Sequence, residues 1–393
     1  MTAVSQAVIP FHRPSIGAGE KAAVLEVLES GWLTTGDRAL RFEEAVAERL
    51  GTRNAVAVNS ATAALHLALE ALGIGPDDEV IVPTYTFAAS GETVRYLGAR
   101  PRLADVDRRT CNLTAETIAS EIRPQTKAIQ VVHIAGLVAD MAPILELAQH
   151  HGLAVIEDAA HALPATRNGR DAATFGAAGA LSFYATKTVT TGEGGMLVTD
   201  SDSIAERARV MRLHGISRDA WKRYTLGGSW YYEIEDVGFK YNLTDLAAAI
   251  GLVQLERADE LQAARELVAR QYDVRFRALG LEELVELPPR PAEGDVHAWH
   301  LYMLRLRDGG QPEPGLRGTV IDSLTADGIG TSVHFIPLHL HPYYRRTYGY
   351  TAGDFPEAEH AYEHEISLPI YPGLTEEDID RVALSVRRAL TGA

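Results

Sequence analysis

The chain has 393 residues, 37 of them Lys or Arg and 53 Asp or Glu, for a formal net charge of −16. So acidic a chain is repelled by duplex phosphates and by anionic membrane surfaces, which disfavours nucleic acid and membrane as partners. Hydrophobic residues make up 46% and charged residues 23%, an ordinary globular balance, and the one cysteine, Cys111, excludes an internal disulfide framework and a cysteine zinc site.

In chain order, residues 1–20 lack a basic start followed by an apolar core, so no secretory signal is read there. No run reaches the ~18 apolar residues of a membrane span. A cytoplasmic enzyme is the expectation. Residues 55–59 (AVAVN) read as a strand, and residues 61–72 as a helix with Ser60 at its N-cap. Further short Val/Ile-rich strands are expected at 79–83, 127–134, 153–157, 180–183 and 195–199, with a helix at 143–150. Near-continuous apolar strands alternating with helices predict an α/β domain whose mostly parallel sheet is covered on both faces. Residues 244–278 read as one long helix, followed by a Pro-rich break at 287–292. A strand at 300–306, a Gly-rich loop at 308–310 and a last helix at 376–390 complete the chain. The expected division is a large lobe, 1–257, and a small C-terminal α+β lobe, 258–393.

Three segments carry chemistry. A strand feeding a helix through Asn59–Ser60–Ala61–Thr62 presents free backbone N–H groups to an anion. Residues 157–161 (EDAAH) end a strand, where a carboxylate faces the ligand crevice of an open sheet. Lys187 follows SFYAT and precedes the glycines of TTGEGG, between two strands, where a poorly solvated lysine can serve as an amine nucleophile. Alone, the first two have structural explanations: a capped helix and a loop carboxylate capping a helix. Together they supply what pyridoxal 5'-phosphate needs: an anion pocket, a carboxylate for the pyridine nitrogen and a lysine for the Schiff base.

At this point the chain resembles the DegT/DnrJ/EryC1/StrS family of nucleotide-sugar aminotransferases, of pyridoxal-phosphate fold type I. Residues 31–36 (GWLTTG), 59–69, 82–89, 157–161, 182–196 and 238–245 carry the likeness. It implies a large domain with a mostly parallel seven-stranded sheet and a small α+β domain. It also implies that Lys187 forms the Schiff base, Asp158 meets the pyridine nitrogen, His161 approaches the ring 3-oxygen and Phe87 stacks on the ring. Ala61, Thr62 and Ser182 would hold the phosphate, joined by Asn242 from the neighbouring subunit of a homodimer with shared sites. Thr35, Tyr184, Lys240 and His334 would contact substrate. The donor would be L-glutamate and the acceptor a nucleotide-linked keto sugar. The strings at 241–245, 300–302 (HLY) and 330–335 (GTSVHF) look most like the UDP-sugar 4-aminotransferases. The rival readings are a pyridoxal sugar dehydratase, in which the family replaces the lysine with histidine, and a silent regulatory protein of the same fold. Both fit less well with Lys187, Asp158 and Ser182 in place. His297, His300, His334, His339 and His341 prompt the thought of zinc, but their strand and loop contexts offer no fixed ligand face, so no metal is expected.

Overall fold

The computed structural model describes residues 7–216, 231–307 and 315–392. The expected loop at 308–310 and the aromatic stretch at 221–230, read as a substrate-facing or dimer-contact loop, lie outside these residues. The main sheet contains β1 (Asn54–Val58), β2 (Glu79–Pro83), β3 (Arg100–Ala104), β4 (Thr126–Val132) and β5 (Ala154–Asp158). After a short separate hairpin, β6 (Thr166–Arg167) and β7 (Arg170–Asp171), it is completed by β8 (Ala178–Ser182) and β9 (Gly195–Thr199). The strand order is β1-β9-β8-β5-β4-β2-β3. Only β9 runs against its neighbours, β1 and β8; every other pair is parallel.

Side chains alternate across this sheet as the strand period demands. Val56 and Val58 enter one core, Ala55 and Ala57 the other. Val80 and Val82 likewise oppose Ile81. Both faces are therefore buried, as parallel sheets require. Of the main-sheet strands, sequence reading passed over β3 (RPRLA). It pairs only with β2, at the sheet edge. An edge strand tolerates Pro101 and two arginines because half of its hydrogen-bonding groups face outward.

β10 (Val285–Glu286), β11 (Tyr302–Leu306) and β12 (Glu365–Leu368) form a second, antiparallel sheet in that order. Helices Ala258–Ala278, Leu316–Ala326 and Glu376–Thr391 supply Tyr272, Phe276, Val320, Leu324, Val382 and Val386 to its core. Ile9, near the start of the chain, packs in this second core and bridges to Ile329.

The long helix expected over 244–278 is two helices, Asp245–Glu256 and Ala258–Ala278. They meet at Arg257, whose backbone sits at φ −96°, ψ 4°. No glycine or proline marks the break. Tertiary bonds hold it: the Arg257 guanidinium donates to Glu20 and to the Ser15 carbonyl. Among the described residues no helix is long and apolar enough to cross a membrane.

Candidate active site

The carboxyl ends of β4 and β5 lie in register, with Val132 beside Asp158, and β8 runs two residues past Ala180, the partner of Asp158. Parallel strands that end together open a crevice at that edge. β1 leads directly into helix Ala61–Ala71 at the same sheet. Ser60 caps it, its Oγ accepting the Ala63 N–H at 3.1 Å. The N–H groups of Ala61 and Thr62 have no partner in the chain among the described residues. They and the positive end of the helix dipole form an anion site. Gly195, the first residue of β9, makes this possible by close approach. A Cβ there would lie 2.3 Å from the Ser60 carbonyl carbon and 2.5 Å from the Ala61 nitrogen. Ser182 pairs with Gly195 across β8 and β9, so its hydroxyl stands beside the same helix end.

Asp158 is buried at the end of β5. Its Oδ2 accepts from Ser90 Oγ at 2.9 Å and its Oδ1 from the Ala160 N–H at 3.2 Å. Burial raises its pKa, while those bonds and the nearby Lys187 favour the anion. Lys187 sits in the β8–β9 connection, its N–H closing a turn on the Tyr184 carbonyl at 2.9 Å. Desolvation, offset in part by Asp158 and aided by Arg265, pulls its amine from the usual lysine range down to about 7. A neutral amine is the reactive form. Because the folded pKa is depressed, that form is present above about pH 7 and lost below it. The rate at which apoprotein captures pyridoxal phosphate is therefore expected to climb with pH and level off just above about 7. Stopped-flow absorbance across pH checks this. A rate still climbing into the ordinary lysine range near ~10 would show the amine to be unperturbed.

Histidines surround the lysine. His300 Nε2 lies 3.3 Å from Lys187 Nζ. The His161 ring rests 4.3 Å from the His300 ring, and Phe335 stacks on His161 at 5.9 Å. Burial and then the Lys187 charge hold His161 and His300 well below the ordinary histidine range. The same two causes lower His334 to about 4. Burial and then Arg265 lower His12 to about 4, its Nε2 bonding the Ala185 carbonyl. All four rings are neutral at physiological pH. The Nδ1 atoms of His161 and His300 are buried without a partner among the described residues, an arrangement that invites a ligand. Phe87, at the N-cap of helix Ala88–Tyr96, is 62% exposed, with its ring 6.1 Å from Phe335. Tyr184 is also exposed, and it bridges to Gly192.

A second group of the expected residues gathers elsewhere. Asn242 Nδ2 donates to Thr35 Oγ1 at 2.6 Å, and Lys240 Nζ donates to Asn242 Oδ1. Asp245 accepts the N–H groups of Gly36, Arg38 and Ala39, locking the 31–36 segment onto this strip. Among the described residues no hydrogen bond joins this cluster to Lys187 or Asp158. Of the remaining histidines, His297 stacks on Trp299 at 4.0 Å, and His339 lies between Thr84 and Glu359. Among the described residues no group of three or more His, Cys, Asp or Glu could hold a metal ion.

Sequence reading missed three groups that shape the site. His300 was noted in a motif string and weighed as a zinc ligand, but not placed beside Lys187. Ser90, on a helix remote in sequence, gave no signal. Arg265 looked like any surface arginine on a helix. It is fully buried, and its guanidinium donates to the carbonyls of Thr186, Trp299, His300 and Ile370.

The fit to pyridoxal phosphate can be judged from these residues. The described residues offer a helix terminus with free N–H groups, a buried carboxylate, a buried amine of depressed pKa and, among themselves, two unpartnered imidazole nitrogens. Those groups match a phosphate, a protonated pyridine nitrogen, an aldehyde and a phenolic oxygen. Comparison with known proteins agrees. The profile of the DegT/DnrJ/EryC1/StrS aminotransferase family matches residues 14–387. The chain is 46% identical over 388 residues to the spore coat polysaccharide biosynthesis protein SpsC of Bacillus subtilis, covering 98% of each. It superposes on the aminotransferase TlmJ of Streptoalloteichus hindustanus with a TM-score of 0.88 and 34% identity, over 98% of this chain and 100% of that one. It is similar also to Helicobacter pylori PseC, an aminotransferase of pseudoaminic acid biosynthesis, with a TM-score of 0.89 and 29% identity, over 98% and 100%. The chain thus belongs to the DegT/DnrJ/EryC1/StrS aminotransferase family and is a pyridoxal-phosphate-dependent sugar aminotransferase.

Proposed function

We propose that the enzyme takes an amino group from L-glutamate and delivers it to a nucleotide-linked keto sugar, of the 4-keto, 6-deoxy type, for amino-sugar biosynthesis. The observation that carries this reading is the Lys187 amine, desolvated, poised near neutrality and within electrostatic reach of Asp158. Pyridoxal phosphate, when bound, supplies the electron sink and carries the amino group between the two half-reactions. Lys187 Nζ would take the proton from the donor carbon and deliver it to the cofactor carbon across the bridging nitrogen, and would do the reverse with the acceptor. Asp158 would hold the proton on the pyridine nitrogen. His161 would bond the ring oxygen, and Phe87 would cover a ring face. The N–H groups of Ala61 and Thr62, with Ser182 Oγ, would bind the phosphate.

Tyr184 and His334 line the acceptor side in this reading. Thr35, Lys240 and Asn242 serve the site of a second copy of the chain, which makes the active unit a cytoplasmic homodimer. An apolar strip next to that cluster supports the pairing: Leu25, Leu28, Trp32, Leu33 and Leu40 are all exposed. The break at Arg257 is a suitable boundary between the cofactor-binding lobe and the small lobe.

The decisive experiment has two stages. L-Glutamate alone is expected to bleach the holoenzyme's visible band. Nucleotide keto sugars added next are expected to restore it, and mass and NMR analysis then identify the aminated sugar. A band indifferent to glutamate removes the donor assignment. Loss of water from the sugar without amination would favour a dehydratase. Light scattering tests the dimer, and a monomer that turns over would remove the shared site.

A further inference from the structure

A buried run of hydrogen bonds reaches the site from the small lobe. Glu365 and Ser367 are two residues apart on β12 and so share one face of it. Both are fully buried. Ser367 Oγ bonds Glu365 Oε1 and lies 2.8 Å from His334 Nδ1. The His334 N–H donates to Glu365 Oε2 at 2.9 Å. The loop bearing His334 is pinned as well, by two backbone bonds between Ser332 and Ser367 and by the Tyr85 hydroxyl on the His334 carbonyl. His334 is thus held at its Nδ1 end. Its Nε2 has no protein partner among the described residues. The ring packs on Phe11 and Phe335, and Phe335 in turn meets His161 and Phe87.

The serine hydroxyl has one proton, so only two arrangements satisfy the group. With Glu365 ionised, Ser367 must donate to it and therefore accept from His334 Nδ1–H. His334 Nε2 is then a bare acceptor. With Glu365 protonated, its O–H donates to Ser367 Oγ and Ser367 donates to a bare His334 Nδ1. His334 then carries its proton on Nε2 and is a donor. One proton gained by the group switches Nε2 from acceptor to donor, and the imidazole stays neutral throughout.

We propose that Ser367 and Glu365 are positioning residues that set the tautomer of His334, and so decide whether its Nε2 accepts or donates a hydrogen bond at the substrate. A keto or phosphoryl oxygen only accepts, so it is bound by the state in which Glu365 holds a proton. This assignment of the ligand rests on the keto-sugar reading above; the tautomer switch does not.

The charges around Glu365 permit the switch. Burial is the dominant influence and pushes the carboxyl up to about 8. The Ser367 and His334 bonds, then Arg317 on helix Leu316–Ala326 and Arg305 on β11, pull the other way without prevailing. Arg305 is engaged with Glu286 and with the Arg108 and Arg109 carbonyls. Among the described residues, Tyr85 and Cys111 also lie near Glu365. Burial holds both neutral, the thiol up to about 12.

The test is ¹⁵N NMR of histidine-labelled holoenzyme with no sugar present, the His334 signals being assigned by their loss in His334→Gln. In the wild type, Nε2–H is expected at low pH and Nδ1–H at high pH, with the change centred near about 8. In Glu365→Gln the amide donates to Ser367 as the protonated carboxyl does, so Nε2–H should persist at every pH. In Ser367→Ala the tautomer should cease to respond to Glu365. One tautomer in the wild type across about pH 6 to 10 would overturn the proposal, as would a Glu365→Gln protein that still switches. If Glu365→Gln fails to retain its cofactor band, the wild-type titration decides alone. With turnover, KM for the keto acceptor should rise roughly tenfold above the transition in the wild type and stay level in Glu365→Gln. A switching tautomer in an enzyme that aminates no keto sugar would sink the functional reading and leave this one standing.

Discussion

Lys187→Ala is expected to leave a folded protein with no visible cofactor band and a transamination rate lower by at least ~10⁴-fold. The lysine loses two roles at once. A positioned general acid–base group contributes ~10²–10⁴-fold, and the covalent hold on the cofactor is lost with it. The fold should survive, because the backbone turn from Lys187 to the Tyr184 carbonyl does not depend on the side chain. Removing a desolvated amine also relieves a burial cost. Absorbance and single-turnover kinetics with glutamate give the readout. A variant that aminates a keto sugar at the normal rate would remove Lys187 from the chemistry.

Asp158→Asn is expected to lower turnover by ~10- to 150-fold while the thermal transition stays near that of the wild type. Hydrogen bonds to a charged partner contribute roughly 1.5–3 kcal/mol, and each 1.36 kcal/mol is tenfold in rate. Asparagine can keep the Ala160 N–H bond through its oxygen. Its NH₂ can turn to Ser90, whose hydroxyl also pairs with Thr86 Oγ1 at 2.8 Å and can exchange roles. What asparagine cannot do is hold a proton on a pyridine nitrogen as an anion. Both half-reactions should slow together, because both draw on the same electron sink. Unchanged turnover, or a loss confined to stability, would refute the role.

The parts of the fold legible in the sequence were those written in local pattern. Val/Ile runs such as 79–83 and 153–157 announced buried parallel strands, and Ser60 announced its helix. β3 was illegible because its fitness as a strand depends on lying at an edge, which no five-residue window reveals. The break at Arg257 was illegible because partners more than two hundred residues away, Ser15 and Glu20, hold it. The site divides in the same way. Asp158 and Lys187 sit in strings whose small residues and glycines betray a ligand. His300, Ser90, Ser367 and Glu365 enter through tertiary contacts between distant segments.

Arg265 joins what the chain otherwise keeps apart. Its guanidinium, depressed by burial to about 10 and bonded to no carboxylate among the described residues, donates at once to Thr186 beside the reactive lysine and to the carbonyls of Trp299, His300 and Ile370. Its five N–H donors are set in a rigid fork, so these four carbonyls cannot drift independently. The peptide that carries Lys187 is therefore tied to the segments that hold Trp299, His300 and Ile370. The placing of the amine and the position of those segments become a single mechanical coordinate, with one arginine as the linkage.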